Sequence, residues 1–189
     1  MSGSNTSVNE LEKILEYEIE CPMCRTQMKV EEYLYNMPMV GKVLIASGRC
    51  RECGYRFNDV RLAEPRGPRR IIYRVEQPGD ENALVIRAST ASIRIPELGI
   101  EITPGPASTG YITTVEGILM DVLEKVEFLC STGEASKEKC EEVKKAIREA
   151  MDARKKFTLI IEDPEGVSAI LSDKAVIEAY TQEEAAGDE

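Results

Sequence analysis

Two C-x₂-C pairs, Cys21/Cys24 and Cys50/Cys53, constrain this chain more than any other feature of its 189 residues. Each pair closes a tight turn that aims two sulfurs the same way. Two such turns complete a tetrahedron around a metal at metal–sulfur distances of about 2.3 Å. Pro22 stiffens the first turn and Gly54 permits the second, while Arg25 stands where a glycine often follows such a pair. Histidine is absent from the whole chain, so any metal must be held by cysteine or carboxylate. Four sulfurs leave no open coordination position, and such an ion holds a fold instead of acting as a Lewis acid. Apparent binding energies in modules of this kind are roughly 10–16 kcal/mol, enough to decide whether the module folds. Four cysteines also suit rubredoxin-like iron, an iron–sulfur cluster, buried thiols or two disulfides, the last disfavoured in a reducing cytosol. One structural Zn²⁺ on Cys21, Cys24, Cys50 and Cys53 is the reading adopted.

The absence of histidine also bears on chemistry. It removes the commonest general acid–base residue, and with it every Ser-His-Asp or Cys-His hydrolase. No glycine-rich phosphate loop is present and no convergent acid pair can be inferred, so the chain is not expected to be an enzyme. No apolar run approaches the roughly 18 residues that a membrane span needs. The first twenty residues hold five glutamates against one lysine, the reverse of a secretory leader, which predicts a cytoplasmic protein.

Charge is divided along the chain. Residues 1–20 carry −4, residues 21–77 carry +5, and residues 78–189 carry −11. Four thiolates with one Zn²⁺ would leave the middle segment still positive. Such asymmetry speaks to partners and association rate rather than to fold.

Residues 1–9 are small and polar and read as disordered, and Asn9 caps a short helix with Leu11, Ile14 and Leu15 on one face. Strand patterns then run from Thr26 to Ala46 and through YRFNDVRL. Further strands are read in RRIIYRVEQ and in ALVIRASTASIRIPELGIEI. At Thr113 the period changes. Thr113 and Glu116 form a capping box, and apolar residues from Ile118 to Cys130 follow at helical spacing. Gly133 ends that helix, and Ser136 caps a second bearing Cys140, Val143, Ile147 and Met151, which makes an αα-hairpin. FTLIIE and VSAIL are read as a closing β-hairpin around a DPEG turn. Cys130 and Cys140 lie in the last turn of one helix and the first turn of the next, a placement that allows a disulfide across the hairpin or two small apolar core residues. The expected domains are an N-terminal segment (1–19), a zinc ribbon (20–62), a β-domain (63–175) with the hairpin at about 114–156, and an acidic tail (176–189). Ribbon and β-domain are expected to have separate cores.

CPMC, MPMVGKVLIASGRCRECGYRFNDV, IPELGIEI, TTVEGIL and FTLIIEDPEGVSAI occur here in an order that resembles the ZPR zinc-finger family over about residues 20–172. Met39, Val40 and Val167 depart from the residues many members carry. The resemblance implies an α+β chain in which a zinc ribbon precedes a double-stranded β-helix, or jelly-roll-like, domain with an inserted αα-hairpin. Eukaryotic members carry two such units, and archaeal members one. It also implies a partner, because eukaryotic relatives bind the GTPase translation elongation factor one-alpha and assist its folding. Arg49, Arg51, Arg56 and Arg61 lie among Tyr33, Tyr35, Tyr55, Phe57 and Tyr73, a composition that suits an acidic protein surface or, as the alternative, nucleic acid. Tyr55 and Phe57 equally suit the ribbon's own small core.

Overall fold

The computed structural model describes residues 11–38, 40–133 and 136–179. Four antiparallel strands come first: β1 (Glu12–Glu20), β2 (Gln27–Met37), β3 (Gly41–Arg49) and β4 (Arg56–Leu62), paired in sequence order. Residues 12–20 are therefore a strand, not a short helix. β1 pairs with β2 from Glu12↔Leu34 to Glu20↔Gln27, with a register shift between Lys13 and Leu15. Tyr17 and Ile19 pack on the ribbon core at period two, while Leu11, Ile14 and Leu15, the supposed helical face, are exposed. An open β2 edge outweighs the weak helical spacing. The expectations for residues 1–10 lie outside the described residues.

The remaining strands build two facing sheets. β5 (Arg69–Val75), β7 (Ser92–Ile95), β8 (Ile100–Ile102), β10 (Phe157–Asp163) and β12 (Val176–Ala179) form one, in the order β12-β5-β10-β7-β8. β6 (Leu84–Arg87), β9 (Tyr111–Thr114) and β11 (Ala169–Ile170) form the other, in the order β11-β6-β9. Alternation along β5 buries Arg69, Ile71, Tyr73 and Val75 and leaves the residues between them outward. The expected closing hairpin does not form, because β10 pairs with β5 and β7 whereas β11 pairs with β6 in the opposite sheet. Between them the Asp163 carboxylate, fully buried, accepts N–H bonds from Glu165 (3.0 Å), Val167 (2.7 Å) and Ser168 (2.5 Å). One side chain thus organises the crossover from sheet to sheet. Residues 176–179, read as tail, pair with β5 instead; the rest of that segment lies outside the described residues.

The helical hairpin is α1 (Val115–Ser131) and α2 (Lys137–Met151). The N-cap of α1 is Thr114, one residue later than expected, its side chain accepting from Gly117 N at 3.0 Å. Thr113 is held in β9, paired with Val85. Ser136 caps α2 as expected. Val115, Ile118 and Leu119 anchor α1 in the core, but Phe128 and Leu129 are exposed near its end. Cys130 and Cys140 are joined by a disulfide. Among the described residues no helix is long and apolar enough to cross a membrane.

Ribbon and jelly roll do not have separate cores. Val43 of β3 and Leu62 of β4 belong to the jelly-roll core, while the metal end of the ribbon has its own cluster of Cys21, Met28, Val30, Ala46 and Cys50. The junction is hydrogen-bonded as well. Leu62 N donates to Val167 O at 2.9 Å, and Gly110 N donates to Asp59 Oδ1 at 2.6 Å.

Candidate metal centre

The two cysteine pairs sit on matching turns. Arg25 N donates to Cys21 O (2.8 Å) and Gly54 N to Cys50 O (3.1 Å). Each turn is then closed by the first cysteine's own N–H, Cys21 N to Thr26 O (2.9 Å) and Cys50 N to Tyr55 O (2.8 Å). Both turns need a left-handed residue after the second cysteine. Gly54 supplies it at φ 76° and Arg25 at φ 62°, the latter against the ordinary preference of a side-chain-bearing residue.

All four sulfurs lie within 4.8 Å of one another, with Cys21–Cys53 at 3.6 Å and Cys24–Cys50 at 3.5 Å. A tetrahedral ZnS₄ centre requires sulfur–sulfur separations of roughly 3.8 Å. The donor set and its spacing are consistent with a single Zn²⁺. Cys21 and Cys50 are buried, Cys24 is half-buried and Cys53 is exposed, which places the cluster at the tip of the ribbon. Thr26, which the sequence did not single out, lies with its hydroxyl 3.0 Å from Cys24 Sγ and 3.5 Å from Cys50 Sγ. That contact holds both thiols below their ordinary range, Cys50 at about 6. Cys53, against the lowering backbone bond from Tyr55, is pushed up to about 12 by burial and the neighbouring sulfurs. Thiolates are the form a metal takes.

Next to the cluster, Lys29, Arg49, Arg51 and Arg56 line one open groove of about 500 Å³ with Ser47, Asn58 and one carboxylate, Glu31, which Lys13 and Tyr33 engage. Gly48 forms part of its lining. A Cβ there would stand 2.6 Å from Lys29 O and 2.9 Å from Val30 Cγ2, so glycine lets β3 pack closely on the ribbon core beneath the groove. Arg49 and Arg56 face each other in the β3–β4 register, a like-charge pair that costs a sheet stability. Lys29 pairs with Glu16 (2.9 Å), whereas no ion pair among the described residues engages Arg49, Arg51 or Arg56. Of the aromatics in the basic segment, Tyr55 and Phe57 pack on the ribbon core. Tyr73 is buried in the jelly roll with its hydroxyl on Asp80 O (2.9 Å), so it offers nothing to a partner. Arg61 is drawn off too, held by Glu32 (3.1 Å) and Asp59 (3.2 Å).

Residues 13–66 match the ZPR1 zinc-finger domain and residues 79–188 match the ZPR1 jelly-roll domain. The chain belongs to the ZPR1 family. It is 35% identical over 170 residues to an uncharacterized ZPR1-like protein of Methanocaldococcus jannaschii, spanning 88% of this chain and 86% of that one. A second uncharacterized ZPR1-like protein, from Pyrococcus horikoshii, is 33% identical over 181 residues, or 92% of this chain and 81% of its own length. The zinc finger chaperone zpr1 of Schizosaccharomyces pombe is 31% identical over 157 residues, 78% of this chain but 34% of the longer yeast protein. ZPR1 membership accounts for the order of the two folded units and for the four-cysteine tip. The ZPR1 zinc-finger match begins at residue 13, which agrees with β1 as part of the ribbon sheet.

Proposed function

We propose that this chain is a non-catalytic, zinc-dependent protein-binding factor of the cytoplasm that binds a translation GTPase of the elongation factor one-alpha type and assists its folding. Cys21, Cys24, Cys50 and Cys53 serve as the four ligands of one structural Zn²⁺, and the ion fixes the end of the ribbon on which the cationic groove is built. The observation that carries the reading is the groove itself. Three arginines stand on it without ion-pair partners among the described residues, two of them at a cost in sheet stability, on a chain whose net charge is −10. Arginine pairs with carboxylates in bidentate fashion, so the groove suits an acidic protein surface. The chaperone name of the yeast relative supports the same direction.

Nucleic acid is the alternative class of partner for a cationic ribbon. The anionic remainder of the chain, −11 over residues 78–189, opposes it by repelling phosphates. One experiment separates the two. The triple variant R49E/R51E/R56E, checked for retained zinc and fold, is measured against the organism's own elongation factor and against RNA over a range of salt. A loss of tenfold or more in affinity for the factor is expected, about 1.4 kcal/mol, with the charge contribution weakening as salt rises. Unchanged affinity moves the interface off the ribbon. Absence of binding by the unmodified chain, or tighter binding to RNA, removes the GTPase reading.

A further inference from the structure

Where the ribbon meets the jelly roll there is a cavity of about 150 Å³. Val40 and Leu62 line it from the ribbon side, and Ile71, Ile170 and Ile177 from the jelly roll. Ser168, Ser172, Asp173 and Arg66 add polar groups to the wall, and the chain places Arg69, only 9% exposed, on the inward face of β5 beside them. An arginine cannot shed its proton to escape burial, so its charge needs a counter-charge or a full set of acceptors. Arg69 has neither. Its one hydrogen bond among the described residues runs from Nη2 to the carbonyl of Arg66 (3.0 Å), and its buried Nε has no partner there.

The surrounding charges leave that deficit standing. Asp163 is the register partner of Arg69 across β5–β10, but its oxygens accept the backbone N–H groups of Glu165, Val167 and Ser168. Arg66, also on the cavity wall, adds a second cation, and Asp173 is the one carboxylate of the lining. Burial first, and the Arg66 charge second, lower the proton affinity of Arg69, with Asp163 opposing them. The arginine is also fixed in place. A Cβ on Gly166 would stand 2.1 Å from Gly67 O and 3.0 Å from Arg69 Nε, so the two turns close tightly over the guanidinium stem. A buried cation with an unmet donor, held at the wall of a cavity that is aliphatic on one part of its lining, is the arrangement that recognises an anion on an apolar stem.

We propose that this cavity binds a small aliphatic carboxylate, its anionic end on Arg69 and its stem against the isoleucine and leucine lining. A volume of this order accommodates a ligand about the size of benzene, which excludes nucleotides. The aliphatic walls and Asp173 disfavour a phosphate dianion. The same chemistry is offered by a free short-chain acid and by the C-terminal leucine or valine of a peptide. Because the lining comes from both folded units, a bound acid would also brace the ribbon against the jelly roll.

The test is an NMR titration of the ¹⁵N-labelled full chain with 4-methylpentanoate, with 4-methylpentanamide as control. A short peptide ending in leucine, as free acid and as amide, is titrated in parallel. Saturable shifts centred on Arg69, Ser168 and Ala169 are expected with the acids, and at least tenfold weaker binding with the amides. Binding by both acids shows that a free acid suffices. Binding by the peptide acid alone identifies a partner's C-terminus as the source. R69M should abolish binding, and A175L, which fills the cavity while keeping Arg69, should abolish it without depending on how R69M folds. No saturable shift at millimolar acid overturns the proposal, as does equal binding by the amides or wild-type affinity in A175L. None of these readouts involves the GTPase, so either hypothesis can fail without the other.

Discussion

Arg25 and Gly54 occupy equivalent places in the two cysteine turns, and only one of them suits the left-handed backbone. A side chain in that region costs roughly 1–2 kcal/mol per residue, and part of this returns as the lower entropy of the unfolded arginine chain. R25G is therefore expected to stabilise the zinc-loaded protein by up to about 1 kcal/mol, whereas G54A should destabilise it by about 1 kcal/mol or more. Denaturant unfolding at fixed zinc concentration measures both. A destabilised R25G would mean that the arginine side chain makes a contact worth more than the strain. At the same scale, Thr26 shows what spacing alone cannot reveal. Nothing in the motif distinguishes it from any residue after a cysteine pair, yet its hydroxyl lies close to two of the four sulfurs. Tyr73 is the reverse case. Its place in a basic, aromatic-rich segment suggests surface recognition, and strand alternation buries it among Ile71, Val75 and the jelly-roll core.

Two elements are stapled covalently or by metal, and each makes a distinct prediction. The ribbon sheet is continuous, but its packing is divided between the metal-end cluster and the jelly-roll core that takes Val43 and Leu62. Zinc content is expected to be one ion per chain. Its removal, or C53S, should loosen the cluster end around Met28, Val30 and Ala46 while the Val43–Leu62 end stays protected. Hydrogen exchange resolved along β2 and β3 would show this gradient, and full zinc retention by C53S would defeat the four-ligand assignment. The second staple is the Cys130–Cys140 disulfide, which spans a sequence separation of 10 residues between α1 and α2. Closing so short a loop stabilises by about 2–3 kcal/mol on the chain-entropy estimate. Reduction should lower stability by that amount, with the change in exchange confined to the hairpin. Two alkylatable thiols in demetallated, unreduced protein would show that the bond is absent in solution.

At the scale of the whole molecule, the junction between ribbon and jelly roll governs how the cationic tip is presented. Gly110 is the tightest point on it. A Cβ at that position would fall 2.1 Å from Val60 O and 2.9 Å from the Asp59 carboxylate that the Gly110 N–H holds. Since the obstacle is backbone, G110A must push β4 away from the loop leading into β9, at a cost on the order of 2–4 kcal/mol. Thermal unfolding should show that loss with zinc still bound. A near-neutral G110A would mean that the two units are more loosely coupled than their hydrogen bonds indicate.

The four-cysteine cluster, the ribbon, the αα-hairpin and most strands were legible in the sequence because each rests on local information. Cysteine spacing within a turn, strand alternation and helical period are set by bonds and side chains a few residues apart. What the sequence misassigned depended on distant partners. The period around Leu11, Ile14 and Leu15 allows a helix, and only the free edge of β2 makes it a strand. FTLIIE and VSAIL read as a hairpin because a turn joins them, but the two facing sheets compete for them and each takes one. The cap of α1 moved from Thr113 to Thr114 because β6 claims Thr113 for its ladder. The cationic groove was half visible, since its arginines are close in sequence. That Arg61 is neutralised, while Arg49, Arg51 and Arg56 meet no ion-pair partner among the described residues, is settled by strands brought alongside one another. The Arg69 cavity was not legible at all, because its walls come from three separated stretches of chain whose proximity exists only once both folded units have packed together.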